Sequence, residues 1–320
     1  MKIAVLTSGG DAPGMNAAIR AVVRYAISLG AEVCAFSRGY KGLLEDHYIP
    51  MERASVSNVI QRGGTFIKTD RCPEFNEKEY RLKAGEILRS HDVDGLVVIG
   101  GDGSFRGAAD LCADTGVSIV GIPGTIDNDL GYTDYTIGFD TAVNNVLWAI
   151  NSLRDTMDSH NKVTFVEVMG RHCGDIALHA GITGGAEHIL VPEIPYDLKD
   201  VADDIVTGAK RGKKSNLVVL AEGAGKLEDV CAEFEKYSGI TPRQTRLGFI
   251  QRGGSPTHRD RMLATRFGMA AVEALVGGRS NRVIGVRNDT IIEDDLFEAL
   301  AKPKVFNKEL YLQSIALAKS

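Results

Sequence analysis

Short apolar runs of strand length recur along this chain, and stretches of helical length separate them. Lys2–Thr7, Gly95–Ile99 and Val163–Val168 lack the regular polar alternation of a half-exposed strand. Strands that are apolar on both faces are typical of a parallel sheet covered by helices on both sides. The repeated βα pattern therefore predicts a doubly wound α/β architecture that binds ligands at the carboxyl ends of its strands.

The same pattern gives approximate bounds for the individual elements. Strands are predicted at Lys2–Thr7, Glu32–Phe36, Gly95–Ile99, Val117–Ile122, Val163–Val168, His188–Val191, Leu217–Ala221 and Arg282–Val286. Helices are predicted at Met15–Leu29, Phe105–Ala113, Thr141–Thr156, Gly174–Gly181, Leu198–Lys210, Leu227–Lys236, Arg261–Val276 and Asp294–Leu300. Because no low-complexity linker separates the two halves, we expect any second domain to be interwoven with the first.

Composition excludes several classes of function. The 320 residues carry a net charge of −5, whereas a general nucleic-acid binder needs a basic face. No apolar run approaches the roughly 20 residues that span a membrane, and the N-terminus does not read as a signal peptide. The five cysteines form no CxxC pair and the seven histidines no HExxH, so we expect reduced thiols, no zinc site and a cytoplasmic location.

Two glycine-containing loops follow predicted strands and are suited to bind phosphate. In Ser8–Asn16, backbone N–H groups and a helix N-terminus favour an anion, although a simple tight turn explains this loop equally well. GGDGS at Gly100–Ser104 adds the carboxylate of Asp102, which is either a Mg²⁺ ligand or the N-cap of the next helix. The spacings GxxxxGK[ST] and GxGxxG are missing, which disfavours P-loop NTPases and dinucleotide-binding oxidoreductases.

A third loop, PGTIDND at Pro123–Asp129, points to catalysis. Asp127 and Asp129 stand at i and i+2 of a loop that we expect to be extended, so both carboxylates point the same way. A neighbouring carboxylate raises the proton affinity of the other, which suits a general base acting on a hydroxyl group. An Asx-type turn with solvated acids is the alternative. Together with GGDGS one βα unit upstream, the loop favours phosphoryl transfer from a nucleotide to an alcohol.

Over essentially its whole length the chain resembles the bacterial 6-phosphofructokinases. The matching motifs, in order, are LTSGGDAPGMNAAIR, RGGT, RCPEF, VVIGGDGS, PGTIDNDL, YTIGFDTA, LRDT, VMGRHCGD, AEG, QRGGSP and DR. The resemblance implies two interwoven three-layer α/β domains with doubly wound, mostly parallel sheets. It assigns 1–138 plus 252–304 to an ATP-binding domain and 139–251 plus 305–320 to a sugar-phosphate-binding domain. The implied glycolytic reaction transfers the γ-phosphoryl group of ATP to the 1-hydroxyl of fructose 6-phosphate.

The resemblance also implies roles for individual residues. The ATP site comprises Gly10, Arg71, Cys72, Gly101, Asp102, Gly103 and Ser104, with Asp102 helping to hold Mg²⁺. The catalytic residues are Thr125, Asp127 as the base, Asp129 and the charge-neutralising Arg171. The sugar-phosphate pocket comprises Thr125, Ile126, Asp127, Lys162, Met169, Gly170, Arg171, Glu222, Arg243, Phe249, Ile250, Gln251 and Arg252. Family members are homotetramers in which the neighbouring chain completes this pocket.

A second, allosteric site is implied for ADP or phosphoenolpyruvate as effector. It comprises Arg20, Arg24, Arg154, Gly185, Ala186, Glu187, Arg211, Lys213, Lys214 and Ser215. Relatives often have Asp where Asn58 stands and His where Ser215 stands, so the strength of regulation stays open. Basic residues on helices are more often simply solvated, and this assignment therefore depends on the resemblance alone.

The chain departs from the family pattern in the sugar-phosphate pocket. Lys162 replaces an arginine and loses its bidentate fork, and Phe249 replaces a hydrogen-bonding histidine. We therefore expect weaker binding of fructose 6-phosphate with the chemical step kept, or a related sugar phosphate as acceptor. Pyrophosphate-dependent relatives carry larger residues where Gly103 and Gly124 stand, so ATP is the favoured donor. The remaining alternatives are a pyrophosphate-dependent enzyme and a nucleotide-sensing subunit without turnover.

Overall fold

The structure, a computed structural model that describes residues 1–213 and 215–318, contains two separate β-sheets. Each sheet belongs to one of two units, and each unit is assembled from segments that are distant in sequence. The first unit comprises Met1–Ile126, Leu130–Thr141 and Arg252–Lys304; the second comprises Asp127–Asp129, Ala142–Gln251 and Val305–Ser320. The predicted domain boundaries differ from this division at 127–129 and 139–141, and the ligand that each unit binds stays a prediction.

The first unit has a mostly parallel sheet in the order β12-β11-β5-β4-β1-β2-β3, with β6 paired to β5. Its strands are β1 (Lys2–Thr7), β2 (Glu32–Phe36), β3 (Tyr48–Met51), β4 (Gly95–Gly100), β5 (Ser118–Thr125), β6 (Ile137–Gly138), β11 (Arg282–Arg287) and β12 (Thr290–Asp295). The antiparallel strands β3 and β12 end the order of the main sheet. All residues of β4 are buried, which explains its continuous apolar sequence.

Helices and a large apolar cluster stabilise the first unit. The helices are α1 (Met15–Ser28), α2 (Gly39–Leu44), α3 (Lys78–Ser90), α4 (Asp102–Thr115), α9 (His258–Val276) and α10 (Leu296–Ala301), with a 3-10 helix at Pro73–Asn76. Phe36, Leu96 and Phe105 are fully buried members of the cluster. Burying each such side chain contributes about 1.5–3 kcal/mol, so this packing holds the strand ends that carry the loops.

The second unit has a parallel sheet in the order β10-β7-β9-β8. Its strands are β7 (Val163–Val168), β8 (His188–Leu190), β9 (Asn216–Ala221) and β10 (Arg243–Arg246). Its helices are α6 (Asp175–Thr183), α7 (Leu198–Lys210), α8 (Leu227–Ser238) and α11 (Lys308–Ala318), with a 3-10 helix at Gly248–Arg252, and α5 (Phe139–His160) enters it from the first unit. A separate core around Phe165 and Phe234, whose ring centroids are 5.1 Å apart, fills this unit.

The predicted α/β class is correct, whereas some element bounds are wrong and some elements were not predicted. Strand β1, strand β2, strand β7 and helix α7 have the predicted bounds. Asp294 lies in β12 and not in a helix, because Asp295 caps α10 by accepting hydrogen bonds from the N–H groups of Phe297 and Glu298. Within the described residues, no helix is both long enough and apolar enough to cross a membrane.

Candidate active site

Two loops of the first unit, and a third that begins in this unit at the end of β5, follow strands that are direct neighbours. In the sheet order β5-β4-β1, Thr7 pairs with Ile99 and Gly100 pairs with Pro123, so all three strands end at the same edge. The backbone N–H of Ser8 donates to the carbonyl of Ile99 at 2.9 Å and joins the first two loops. The phosphate loops and the start of PGTIDND are thus brought together, as expected for parallel strands.

A segment to which we assigned no role holds the first loop in place. The side chain of Asn16 is buried; it donates to the carbonyls of Arg62 and Gly63 and accepts from the N–H of Phe66 at 2.8 Å. Thr69 Oγ1 donates to the Gly9 carbonyl at 2.8 Å. The RGGT motif of the sequence was the signal for this contact, and its structural role explains why the motif accompanies the loop.

Asp102 is the first residue of α4 and not its N-cap. The helix begins three residues before the predicted Phe105, and Gly101 is the capping residue. The Asp102 carboxylate accepts from Arg106 Nε at 2.7 Å and from Arg106 Nη2 at 3.1 Å, one helical turn away. This carboxylate is half-exposed and the pair is an ordinary i,i+4 ion pair, so Arg106 can release it to a cation.

The remaining residues of the predicted ATP site lie in the same unit. The hydroxyl of Tyr40 donates to the carbonyl of Ser104 at 2.6 Å, and its ring stacks on Phe75 in the 3-10 helix that follows Cys72. Burial raises the pKa of the Cys72 thiol to about 11, so this thiol is neutral at physiological pH. Arg71 is exposed and leaves its guanidinium available to an anion.

The chain turns sharply where it carries Asp127, so the predicted extended loop is wrong. Asn128 has φ 53°, a left-handed conformation that Asn adopts more readily than most residues. A left-handed residue between Asp127 and Asp129 breaks the simple i, i+2 alternation of side-chain directions. Asp127 is only 3% exposed, which argues against the alternative of solvated acids.

The turn is anchored by residues that follow it by more than forty positions. Asn128 Nδ2 donates to Asp175 Oδ2 at 2.8 Å, and Cys173 Sγ lies 3.9 Å from the carbonyl of Asn128. Asp175 is the first residue of α6 and is itself buried. We assigned no role to Asn128, Cys173 or Asp175 from the sequence, although Asn within Asp-Asn-Asp was a signal for a left-handed turn.

The segment that contains Cys173 and Asp175 also positions Arg171. The carbonyl of Gly170 accepts from the N–H of Cys173 at 2.9 Å, and Arg171 itself has φ 54°. Glu222 Oε1 accepts from the N–H groups of Gly170 at 3.2 Å and Arg171 at 2.7 Å. Within the second unit, residues Cys173–Asp175 therefore contact both Asn128, which is next to Asp127, and Gly170, which is next to Arg171.

Other residues of the predicted sugar-phosphate pocket are distributed between the two units. Gln251 is completely buried, and its Oε1 accepts from the N–H of Met169 at 3.1 Å, which makes it a structural anchor. Arg243 Nη1 donates to Thr156, while Lys162, Phe249 and Ile250 are exposed. Arg252 belongs to the first unit, where its Nη1 donates to the Asp11 carbonyl at 3.2 Å, and Thr125 and Ile126 are buried in that unit.

Part of the predicted effector site surrounds a cavity of about 260 Å³ in the second unit, lined among others by Gly185, Ala186, Glu187 and Lys213. Lys213 Nζ is 3.4 Å from Glu187 Oε1. Arg154 donates to the carbonyls of Gly184 and Gly185 at the edge of this cavity. Arg211 is exposed, and the hydroxyl of Ser215 donates a hydrogen bond to Asp158. Arg20 and Arg24 lie on α1 of the first unit, and Lys214 is outside the described residues.

Comparison with known proteins identifies the family. Residues 2–275 match the family described as "Phosphofructokinase". The chain is 58% identical over 309 residues to an ATP-dependent 6-phosphofructokinase of Clostridium acetobutylicum and 57% identical to one of Clostridioides difficile, each covering 97% of both chains.

Solved structures agree with the assignment. The phosphofructokinase of Saccharomyces cerevisiae superimposes with a TM-score of 0.87 at 36% identity; 99% of this chain is covered, and the chain spans about half (48%) of the yeast chain. A pyrophosphate-dependent phosphofructokinase from Marinobacter aquaeolei shares the fold with a TM-score of 0.83 at 23% identity. From the family match and the clostridial relatives we conclude that the chain belongs to the phosphofructokinase family.

Proposed function

We propose that this chain is an ATP-dependent 6-phosphofructokinase, which transfers the γ-phosphoryl group of ATP to the 1-hydroxyl of fructose 6-phosphate. The observation that carries the proposal is the buried Asp127 in a turn directly after β5, the strand beside the two phosphate loops. The names of the clostridial relatives support the same donor. The products are ADP and fructose 1,6-bisphosphate.

In the proposed reaction Asp127 is the general base. Its carboxylate takes the proton of the 1-hydroxyl as that oxygen attacks the γ-phosphorus, and the bond from the γ-phosphorus to the β,γ-bridging oxygen breaks to release ADP. Thr125 contacts the reacting hydroxyl, and Asp129 orients Asp127. Arg171 neutralises charge on the transferring group, a role that suits a rigid guanidinium fork. Positioning and charge neutralisation provide nearly all of the catalysis in such transfers.

Gly10 and Gly101–Ser104 line the site of the ATP phosphates in this proposal, with Arg71 and Cys72 beside the nucleotide. The sugar phosphate is bound by Arg243 and Arg252, and Glu222 uses its second carboxylate oxygen for the sugar hydroxyls, since Oε1 holds the turn at Arg171. Met169, Gly170, Ile250 and Gln251 shape the pocket around these groups.

Mg²⁺ fits the residues present as a companion of ATP and not as a resident ion. In the described part of the chain, no group of three or more His, Cys, Asp or Glu side chains is arranged to hold a metal. Mg²⁺ is commonly bound by one or two carboxylates together with substrate phosphates, and Asp102 is the carboxylate for that role. When bound, Mg²⁺ neutralises the charge that develops on the phosphates.

Regulation and assembly complete the proposal. Within the second unit, the cavity at Gly185–Glu187 and Lys213 is the proposed site for ADP or phosphoenolpyruvate, with Arg154 and Arg211 as further cations. The roles of Arg20, Arg24, Lys214 and Ser215 in effector binding stay predictions of the resemblance. We propose a homotetramer located in the cytoplasm. Binding of nucleic acid or of a membrane has no part in this function.

A coupled assay tests the proposed function directly. Formation of fructose 1,6-bisphosphate is measured with ATP, fructose 6-phosphate and Mg²⁺, with ADP as the second product, and a parallel assay replaces ATP by pyrophosphate, which would release orthophosphate instead. Turnover that requires both ATP and the sugar phosphate supports the proposal. Turnover of the sugar phosphate with pyrophosphate but not with ATP identifies a pyrophosphate-dependent enzyme. A protein that binds the nucleotide but turns over no sugar phosphate is a nucleotide-sensing subunit.

Donor choice leads to a prediction at Gly103. A Cβ at this position meets no atom within 4 Å, so space is available where a side chain would face the nucleotide. We expect Gly103→Asp to raise KM for ATP about tenfold, because its carboxylate repels the phosphates at short range. Gly103→Ala is the matched control and keeps KM unchanged, since the methyl group lies in open space. Equal KM values for the Asp and Ala variants would contradict this account of donor choice.

The two departures in the sugar-phosphate pocket give a second prediction. Phe249 is 82% exposed and Lys162 is also exposed, so both can be exchanged without disturbing a core. We expect Lys162→Arg with Phe249→His to lower KM for fructose 6-phosphate by about 10- to 100-fold with little change in kcat, since one restored hydrogen bond to a charged group contributes about 1.5–3 kcal/mol. The control variant, Lys162→Arg with Phe249→Ala, removes the phenylalanine ring without adding a hydrogen-bond donor. It therefore separates the effect of the histidine donor from the effect of losing the ring. An unchanged KM in the first double variant would remove the hypothesis, and a substrate panel would then test another sugar phosphate.

A further inference from the structure

The first unit contains a buried carboxylate, that of Asp260, to which none of the roles described above is assigned. Asp260 is in the first turn of α9, is 0% exposed, and accepts three hydrogen bonds. The N–H of Gly138 donates to Oδ1 at 2.9 Å; the N–H and Oγ1 of Thr141 donate to Oδ2 at 2.8 and 2.5 Å. All of these groups belong to the first unit, and a carboxylate with charge-assisted bonds to backbone N–H groups fixes their geometry strongly.

The position of Asp260 is itself fixed. Thr257 Oγ1 caps α9 by accepting from the N–H of Asp260 at 3.3 Å, and the N–H of Thr257 donates to Thr141 Oγ1 at 3.1 Å. The hydroxyl of Thr141 therefore links the start of α9 to the start of α5. Removing the polar group of any member leaves a buried partner without its hydrogen bond, which is unfavourable.

Gly138, which Asp260 holds by a hydrogen bond, lies beside the end of β5, the strand that leads to Asp127. Strand β6 pairs Ile137 with Gly124 and Gly138 with Thr125. The hydroxyl of Thr136 donates to the Thr125 carbonyl at 2.6 Å. A shift of Gly138 is therefore transmitted to Thr125, two residues before Asp127.

The same strand also abuts the first phosphate loop. Gly138 has φ 102°, and a Cβ there would lie 2.7 Å from the Ala12 Cβ and 3.2 Å from Ile126 Cγ2. A Cβ at Gly14 would lie 2.5 Å from Ile137 Cγ2. Strand β6 thus packs tightly between the loop Ser8–Asn16 and Ile126, the residue that precedes Asp127.

We propose that Asp260 is a positioning residue for phosphoryl transfer, which sets the spacing between the first phosphate loop and the end of β5 by holding β6 and the first turn of α5. This inference rests on the proposed function. Burial raises the pKa of Asp260 to about 6, with a further rise from Asp140 and an opposing effect of its hydrogen bonds. Assays at pH 8 therefore measure the ionised carboxylate.

The test compares kcat, KM and the dissociation constant of ATP for Asp260→Asn, Thr141→Val and Thr141→Ser at pH 8. We expect Asp260→Asn and Thr141→Val to lower kcat by about 10- to 100-fold, since misplacement by about 1 Å has effects of this size. The dissociation constant of ATP is expected to change much less than kcat, because Asp260 does not contact Gly101–Ser104, the second of the two nucleotide loops. Thr141→Ser keeps the hydroxyl and keeps kcat.

The outcomes separate this inference from the proposed function. Wild-type turnover of fructose 6-phosphate with ATP tests the function alone, and an inactive wild type would overturn both. An active wild type with unchanged kcat in folded Asp260→Asn overturns the inference alone. A loss that appears only as a smaller folded fraction, with kcat per folded enzyme unchanged, assigns Asp260 to stability and overturns it too. Loss in Thr141→Val with retention in Thr141→Ser supports it even where Asp260→Asn fails to fold.

Discussion

Replacing Asp127 by Ser is expected to lower kcat by about 10³- to 10⁴-fold while the affinity for ATP is retained. A positioned general base contributes about 10²- to 10⁴-fold, and the serine hydroxyl cannot accept the proton at neutral pH. The expected loss is near the upper end of that range because Asp127 is nearly completely buried, and the solvent that would replace a missing base has little access. The nucleotide loops Ser8–Asn16 and Gly101–Ser104 are unchanged by the substitution.

Single-turnover kinetics and equilibrium binding of ATP measure the two quantities separately. Asp155→Asn is a matched control, because Asp155 is an exposed carboxylate on α5 and its loss leaves kcat unchanged. If the Asp127→Ser variant kept kcat within about tenfold of the wild type, Asp127 would not be the base. Equal losses of kcat and of ATP affinity would point to a disturbed turn, since Asn128 beside it is pinned by Asp175.

The sequence allowed the α/β class and the three loops at neighbouring strand ends to be predicted, because apolar runs and glycine turns are local patterns. Strand β10 was missed for the same reason: its residues, Arg243–Arg246, are polar, and it forms because β7 offers a parallel partner. Helix α3 was missed because it has many charged residues and only Ala84, Gly85 and Leu88 are buried, which gives a weak apolar pattern. Both elements depend on contacts that no short window contains.

The details of the candidate site depend on distant residues in the same way. Nothing near Asp127 in sequence shows that Asp175 bonds Asn128 and helps to fix its left-handed turn. The contact of Arg252 with Asp11 joins residues that are 241 positions apart. Periodicity and motifs identify which residue types are present, whereas their direction is set by tertiary hydrogen bonds that override local preference.

Replacing Arg171 by Ala is expected to lower kcat by about 10²- to 10³-fold, the cost of removing one group that stabilises transition-state charge. Arg171→Lys is expected to recover part of this loss, because lysine keeps the charge but not the bidentate fork. The KM for ATP should change little, since Arg171 lies outside the nucleotide loops. Steady-state kinetics with both substrates varied provide the measurement, and Arg89→Ala removes an exposed arginine elsewhere as a control.

The backbone at Arg171 requires a second comparison, because φ is 54° there and Glu222 binds its N–H. Glycine adopts a left-handed conformation at no steric cost, so Arg171→Gly relieves whatever strain the turn holds. If the guanidinium is the functional group, the Gly variant is as inactive as the Ala variant. If activity returned in Arg171→Gly, the turn itself would matter more than the charge, and the proposed role of Arg171 would fail. Similar folding of both variants, judged by their unfolding midpoints, makes this comparison one of chemistry alone.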